Sequence, residues 1–481
     1  MNSLFAVPVC IIGIAGLFFL DRDKSVRTSK ALWLPVIWLA IVGSRPISIW
    51  LGMGTVSTLS NQFAESNPID GLIYEILLAL GVLVLIHRRS RIATFLKGSW
   101  PVLFYVSFCL LSVAWSDYPD VSFKRWIKSI GDLVMVLIVV TDAAPAQAFK
   151  RLISRVGFVL LPASVLMIKY FDSGRGYDPV GNSMNTGVTT TKNTLGVVTL
   201  IITLGVLWNF LTLRRDKGQS NRGRHLVAQG TLLIFGLVLL WMAHSATSGA
   251  CFVLGAAVML AARLSIIGRR PAAVHALVLA IVLIGGLFLV FGQASVMHML
   301  GRQSDLTGRT EIWKAVTPLV QNPVVGTGFE SFWLGPRLNM VWNQLSKYMH
   351  VNEAHNGYLE VYLNLGWVGV GLITLVLVNG YRRVVGLFRH DQMLGSLWLA
   401  YLIVAVTYSF TEAGFRLLNP IWIFLLLAIV AASGVLRTIP VLTPVGAFAK
   451  SGTAFRPGFS RPGAPSVSSS TNNRLTTSRR P

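Results

Sequence analysis

The stretch Leu195-Gly196-Val197-Val198-Thr199-Leu200-Ile201-Ile202-Thr203-Leu204-Gly205-Val206-Leu207-Trp208-Asn209-Phe210-Leu211-Thr212-Leu213 carries no charged side chain. It approaches the ~20 apolar residues with which a helix spans a bilayer. Leu226–Ala243 and Ala272–Gly292 read the same way. Such runs recur along a chain of 481 residues that is 53% hydrophobic and 13% charged. A soluble domain carries roughly 25% charged residues. Alternating strand-length segments are missing, and backbone groups in lipid must be satisfied internally. The expected fold is all-α, a polytopic membrane helical bundle of about 12–13 transmembrane helices.

Candidate spans fall at 3–20, 31–51, 69–87, 99–115, 127–142, 153–170, 193–213, 226–244, 248–263, 273–292, 357–380, 396–411 and 418–436. Arg45-Pro46 interrupts the second. The net charge of +23 invites a nucleic-acid reading, but the charges sit in the wrong places for it. Arg22, Lys24, Arg27 and Lys30 follow the first span, Arg88, Arg89, Arg91 and Lys97 the third, and Arg214, Arg215, Lys217, Arg222 and Arg224 separate two later ones. Basic residues in short loops mark the cytoplasmic side. Loops 21–30, 88–98, 143–152, 214–225, 264–272 and 381–395 are then inside, and loop 52–68, without Lys or Arg, is outside. The N-terminal run has no positive n-region and reads as a retained span rather than a signal peptide. Cys10, Cys109 and Cys251 fall in apolar stretches and read as small buried hydrophobes.

The chain divides into transmembrane helices with short loops (1–292), an extracytoplasmic loop (293–356), C-terminal transmembrane helices (357–440) and a tail (441–481). The tail is rich in Ser, Thr, Pro, Gly and Arg and is expected to be disordered and cytoplasmic. The loop is far longer than any other interior one, and long loops in compact proteins are usually functional. Within it Arg309–Val320 reads as a helix, with Ile312, Ala315, Val316 and Leu319 on one face, Glu311 in its first turn and Asn322-Pro323 as its stop. Trp333, Trp342 and Tyr348 suit a membrane interface.

Arg309 lies where the positive-inside bias does not account for it. It is either a surface arginine paired with Asp305 or Glu311, or a planar cation aimed at a phosphate. His355 opens the next span, flanked by Glu353 and Asn356. Asn356, Glu360 and Asn364 recur every four residues and share one helix face. Such polar residues either pack helices through hydrogen bonds or face a cavity. A second outside loop, 171–191, brings Arg175, with Lys192 and Asn193 at the mouth of the following span. Lys192 either snorkels or joins Arg175 and Arg309 in a three-cation cluster that neutralises a diphosphate. Ser245, Thr247 and Ser248, in a short outside turn, add hydroxyls. There is no Walker loop, dinucleotide fingerprint or Cys/His metal spacing, and the one Asp-x-Asp, Asp21-Arg22-Asp23, lies on the inside. Neither a cofactor nor a metal is expected.

Several of these segments resemble the O-antigen ligase and polysaccharide polymerase superfamily of bacterial inner-membrane proteins, which includes exopolysaccharide polymerisation proteins. The resemblance rests on Gly308-Arg309-Thr310-Glu311-Ile312-Trp313 followed by Asn322-Pro323-Val324-Val325-Gly326-Thr327-Gly328. It rests also on Ala354-His355-Asn356-Gly357-Tyr358-Leu359-Glu360 running into Leu365-Gly366-Trp367-Val368-Gly369. Thr191-Lys192-Asn193-Thr194-Leu195-Gly196 and Ala114-Trp115-Ser116-Asp117-Tyr118-Pro119 look like further elements. Many relatives carry a Trp-Arg-Gly just upstream of the Lys-Asn element. Here Asn185-Thr186-Gly187 stands there, which leaves Arg175 as the candidate cation.

The resemblance implies a glycosyltransferase of the GT-C type in the bacterial inner membrane, with its site on the periplasmic face. It would move a glycan from a polyprenyl (undecaprenyl) diphosphate carrier to an acceptor, either a glycan or a lipid-A-core-like molecule. Arg309 and His355 match the family's functional arginine and histidine. Arg175, Lys192, Asn193, Asn356 and Glu311 would help hold the substrate. An activated diphosphate needs cations to stabilise its departure and a base at the acceptor hydroxyl. His355, with an ordinary pKa near 6.5, is the expected base and Glu353 the fallback. The competing function is a transporter or flippase of lipid-linked glycans, which would show two pseudo-symmetric halves.

Overall fold

The computed structural model describes residues 3–23, 27–53, 67–177, 181–216, 218, 221–264, 272–276, 278–280, 283, 305–345 and 351–438. The tail 441–481 and most of the expected span 273–292 lie outside these residues, as do 293–304 and 346–350 of the long loop. In chain order the principal helices are α1 (Ser3–Leu20), α2 (Trp33–Val42), α3 (Pro68–His87), α4 (Arg89–Gly98), α5 (Trp100–Leu111), α6 (Pro119–Val140), α7 (Pro145–Tyr170) and α8 (Lys192–Arg215). After these come α9 (Arg222–Met242), α10 (Ala246–Ala261), α11 (Asp305–Val316), α12 (Gly335–Gln344), α13 (Gly357–His390), α14 (Gln392–Tyr408) and α15 (Pro420–Thr438).

The protein is a polytopic membrane helical bundle. Its apolar helices differ in length. Among the described residues five helices, α3, α7, α8, α9 and α13, are long and apolar enough to cross a membrane. A sixth arises if α4 and the following Trp100–Trp115 segment, bent by 90°, form one span. Five shorter apolar helices complete the set: Phe5–Leu20, Lys30–Val42, Ala246–Ala261, Gln392–Tyr408 and Pro420–Gly434. Runs of apolar residues record hydrophobicity but not where the backbone breaks. The 31–51 run illustrates this: α2 ends at Val42, and Arg45-Pro46 leads into the separate turn Ile47–Trp50.

The helix starts follow from local chemistry. Asn67, Thr191, Ser245, Asn356 and Asp391 each accept a first-turn N–H on their side chains. Pro68, Pro101, Pro119 and Pro145 occupy first-turn positions where no intrahelical donor is needed. Within the most apolar window, 78% of α8 is buried in protein but only 17% of α3, so α8 is an interior helix and α3 faces lipid. α15 is buried from Pro420 through Gly434 and forms the centre of the bundle with α14.

Contacts sort the loops onto two ends. At one end Ser29 N donates to Asp142 Oδ2 at 3.0 Å, Arg151 to Thr28 Oγ1 at 2.7 Å and Arg224 to Phe19 O at 2.7 Å. Arg88, Arg91 and Arg222 donate to the terminal carbonyls of α6 and α8, where the helix dipole favours cations. These are the basic loops. At the other end Arg45 donates to the carbonyls of Ser173, Gly187 and Thr189 and so ties the 171–191 loop down. That loop holds, among the described residues, the one departure from an all-α chain, a hairpin of β1 (Arg175–Tyr177) against β2 (Ser183–Asn185), with Gly176 opposite Met184.

The same end carries the 305–345 and 351–356 segments, which have their own small core of Ile312, Ala315, Val316, Phe332, Trp333, Leu338 and Val341. The expected helix over Arg309–Val320 is present as α11 and a 3-10 turn, Thr317–Leu319. Trp333 is not an interface residue. It is buried, and its Nε1 donates to both Glu360 oxygens at 3.0 and 2.9 Å. Tyr348 lies outside the described residues.

α13 breaks at Gly366, which has φ 62°. The break frees backbone groups on both sides, and the 323–328 loop pairs with them. Thr327 N and Gly328 N donate to Leu363 O and Asn364 O at 3.2 and 2.9 Å. Trp367 N and Val368 N donate to Pro323 O and Val324 O at 2.9 and 3.0 Å. The loop thus completes the ladder that the kink interrupts. Glu360 and Asn364 serve the same seam: the Asn364 amide oxygen accepts from Ser331 N and Phe332 N, and Glu360 accepts from Ala354 N. On that polar face Glu360 and Asn364 neither join two helices nor line an open cavity: both are buried and bond the loop seated against α13.

Candidate functional site

The loop core fixes α11, and Trp313 Nε1 donates to Ala354 O at 2.8 Å. That bond ties the helix bearing Arg309 to the residue before His355. His355 has left-handed backbone, φ 47°, which a non-glycine residue adopts at a cost. It turns the chain into Asn356, whose Oδ1 caps α13 by accepting from Tyr358 N and Leu359 N at 3.0 Å each. Gly357 N donates to Ser409 O at 2.7 Å, which anchors this corner to the end of α14.

These elements converge on one carboxylate, Glu412, in the loop between α14 and α15. Arg309 Nη2 lies 2.7 Å from Glu412 Oε1. Asn193 Nδ2, in the first turn of α8, donates to the same oxygen at 3.3 Å. His355 Nδ1 lies 3.1 Å from Glu412 Oε2 and 3.0 Å from Glu353 Oε1. Arg416 adds a second guanidinium: Nη1 is 3.6 Å from Glu353 Oε2 and Nη2 is 3.1 Å from Glu330 Oε2. Arg125 donates to the Glu330 carbonyl. Glu330, like His355, has positive φ, 53°. Glu412 and Glu330 are each 6% exposed at the side chain, whereas His355 is 23% and Glu353 29%. Glu353, with the imidazole and Arg416 at 23% each, is therefore the part of the cluster most open to a substrate.

Burial alone would lower the His355 pKa, but Glu353 and Glu412 outweigh it and raise the value to about 10. Burial would raise the Glu353 pKa; the charge of His355, with those of Arg416 and Arg309, brings it down to about 2. The proton at neutral pH thus sits on the imidazole. An expected base with an ordinary pKa is here an imidazolium between two carboxylates.

Of the residues singled out from sequence, Arg309, His355, Glu353 and Asn193 meet at Glu412, and Asn356 stands beside them as the helix cap. Lys192 is half-buried next to Asn193. Glu311 is exposed on α11. Arg175 is exposed and pairs at 3.1 Å with Asp172, three residues away. Among the described residues the second guanidinium of the cluster is Arg416. The Ser245–Ser248 turn reaches the cluster's edge, with Thr247 Oγ1 3.2 Å from Thr411 Oγ1. Glu412, Arg416 and Glu330 were not anticipated. A signal existed for Arg416: like Arg309, it is a cation in a segment that the positive-inside reading of the sequence expects to hold few. Glu353, His355 and Glu412 also present ligand atoms within 4.8 Å of one another. The flanking guanidinium groups already supply the positive charge that a metal ion would bring there.

Comparison with known proteins places this geometry in context. The model of the O-antigen ligase family matches residues 230–374, a stretch that contains Arg309, Glu353 and His355 and ends before Glu412. The exopolysaccharide production protein ExoQ of Rhizobium meliloti (strain 1021) is 25% identical over 309 residues, covering 62% of this chain and 68% of the relative. The resemblance read from the motifs is borne out: this is a multi-pass membrane protein similar to O-antigen ligases and to an exopolysaccharide production protein.

Proposed function

We propose that the protein is a glycosyltransferase that moves a glycan from a polyprenyl diphosphate carrier to an acceptor sugar on the outer side of the inner membrane. The observation that carries this reading is the convergence of three motif segments on Glu412: Asn193 from the Lys-Asn element, Arg309 from the Gly-Arg element and His355 from the His-Asn element. Residues distant in sequence meet where cations and carboxylates alternate, which suits a reaction that separates charge.

In the proposed reaction the acceptor oxygen attacks the anomeric carbon, and the bond from that carbon to the carrier diphosphate breaks. The bonding pair leaves with the diphosphate. Arg309 and the His355 imidazolium stabilise that departing charge. The acceptor proton goes to Glu353, the most exposed of the three carboxylates. Glu412 holds the two cations in register before substrate arrives.

The test is a reconstituted transfer assay with a polyprenyl diphosphate oligosaccharide and an acceptor glycan. New glycosidic product is expected from the wild-type chain. Arg309→Lys keeps the charge but not the planar fork, so it should retain part of the activity, and Arg309→Ala should lose on the order of 10²–10³ in rate. Carrier lipid that crosses the bilayer without any new bond would favour a transporter. A folded Arg309→Ala chain with normal turnover would remove Arg309 from the reaction.

A further inference from the structure

α8 joins two polar regions. Asn193 sits at Glu412, and Asn209 lies 209 − 193 = 16 residues on, about 24 Å along the axis at 1.5 Å per residue. There the ends of α1, α7, α8 and α9 enclose a cavity lined by Asp21, Ser154, Asn209, His225 and Gln229, with room for about two waters. None of these residues takes part in the proposed reaction.

Asn209, His225 and Gln229 are 3%, 4% and 2% exposed. Asn209 Oδ1, His225 Nε2 and Gln229 Oε1 are buried without a partner among the described residues. Buried polar atoms are nearly always satisfied, and each exception calls for an occupant or a cost. Three such atoms at one cavity are not explained by packing. The hydrogen bonds that do form settle their character. His225 Nδ1 lies 3.2 Å from Asp21 Oδ1, and in the tautomer that places its proton toward that carboxylate Nε2 presents a lone pair to the cavity. Gln229 Nε2 donates to Asp21 Oδ1 at 3.2 Å and to Ser154 Oγ at 2.7 Å, which leaves Oε1 as an acceptor. With Asn209 Oδ1 the cavity presents three unmatched acceptors beside a carboxylate. A carboxylate behind an imidazole is also the arrangement that orients a histidine toward a cation.

We infer that this cavity binds a small monovalent cation of about the size of a water molecule. Lys150 and Arg151 line the same cavity with Asp21 and Asp23, so a dication would add twice the charge of a monovalent ion to a confined space that already holds two cations. A single charge facing three neutral acceptors and the Asp21 carboxylate fits. The bound ion joins α1, through Asp21, to α7, α8 and α9 and stabilises that end of the bundle. This site stands independently of the transferase reading.

The experiment is thermal unfolding of the purified full-length chain in detergent. Sodium, potassium and ammonium chlorides are compared with N-methyl-D-glucamine chloride, whose cation is too large to enter, at equal ionic strength. At least one small cation should raise Tm in a saturable manner, as ligand linkage requires. Asn209→Leu removes an acceptor without breaking a hydrogen bond found among the described residues, and Asp21→Asn removes the charge. Each should weaken the apparent affinity for the ion by tenfold or more. Equal Tm in all four salts would mean that the cavity holds only water and would overturn the proposal. An ion effect that survives unchanged in both variants would place the ion elsewhere and overturn it as well.

Discussion

His355 concentrates the chemistry of single residues in this protein. Its Nδ1 stands about equally far from Glu353 and Glu412, at 3.0 and 3.1 Å. A folded pKa of about 10 lies above the ordinary value of ~6.5. The stabilisation that His355 contributes is therefore complete below about pH 6.5 and lost as pH rises through about 10. Glu353, lowered to about 2, contributes the opposite limb, complete above its ordinary value of ~4.3 and lost as pH falls through about 2. If the imidazolium is the working form, transfer activity should hold through neutral pH and fall on approach to pH 10. A base with an ordinary pKa would instead give activity rising through ~6.5. His355→Asn keeps a residue that tolerates left-handed backbone. It should lower turnover on the order of 10²–10³ and abolish the alkaline limb. Glu412→Gln should move that limb to lower pH, because one of the two carboxylates that hold the proton is gone. A limb that stays put in Glu412→Gln would assign the proton to Glu353 alone.

At the scale of elements, the break in α13 and the loop seated in it form one unit. An added Cβ at Gly366 would lie 2.3 Å from the Val324 carbonyl, and one at Gly326 would lie 2.4 Å from Asn364 and Leu365 backbone atoms. Both residues also have positive φ, 62° and 70°. Gly366→Ala should cost about 1–3 kcal/mol from backbone strain alone, and more from the clash, because the loop that carries Glu330 has to move. Gly371→Ala, in the same helix with nothing within 4 Å of the new Cβ, should be neutral or slightly stabilising. The comparison is made by thermal unfolding and transfer assay of both variants, and equal behaviour would refute the role of the kink. The periodicity of Ile312, Ala315, Val316 and Leu319 made α11 legible in sequence. The seam was not, since a Gly-x-Gly turn and a mid-helix glycine carry no mark of each other.

For the molecule as a whole, the grouping of basic loops at one end and the Glu412 cluster at the other predicts which surface a reagent reaches. A cysteine at the exposed Asn322 should react with an impermeant thiol reagent in intact cells. A cysteine at the exposed Gly218 should react only after permeabilisation. Both positions are exposed, whereas Cys109 and Cys251 are buried; Cys10 is half-buried, so the labelling is done in a Cys10→Ser background. Equal labelling at 322 and 218 would overturn the sidedness on which the proposed donor and acceptor depend.

Hydropathy and the placement of basic residues determined that this chain is a bundle of membrane helices with polar segments between them. The unusual cations and amides in those segments singled out Arg309, His355 and Asn193. These signals are local: a run of residues records its own apolarity, and a cation stands out against the charge bias of its own loop. Only the tertiary structure decided that Glu412 receives all three, that Arg416 rather than Arg175 provides the second guanidinium, and that Trp333 serves a buried carboxylate. It also decided the protonation of His355. That pKa follows from distances of about 3 Å to carboxylates two and 57 residues away. Coulomb energy depends on separation and burial in space, and neither quantity is written in the spacing along the chain.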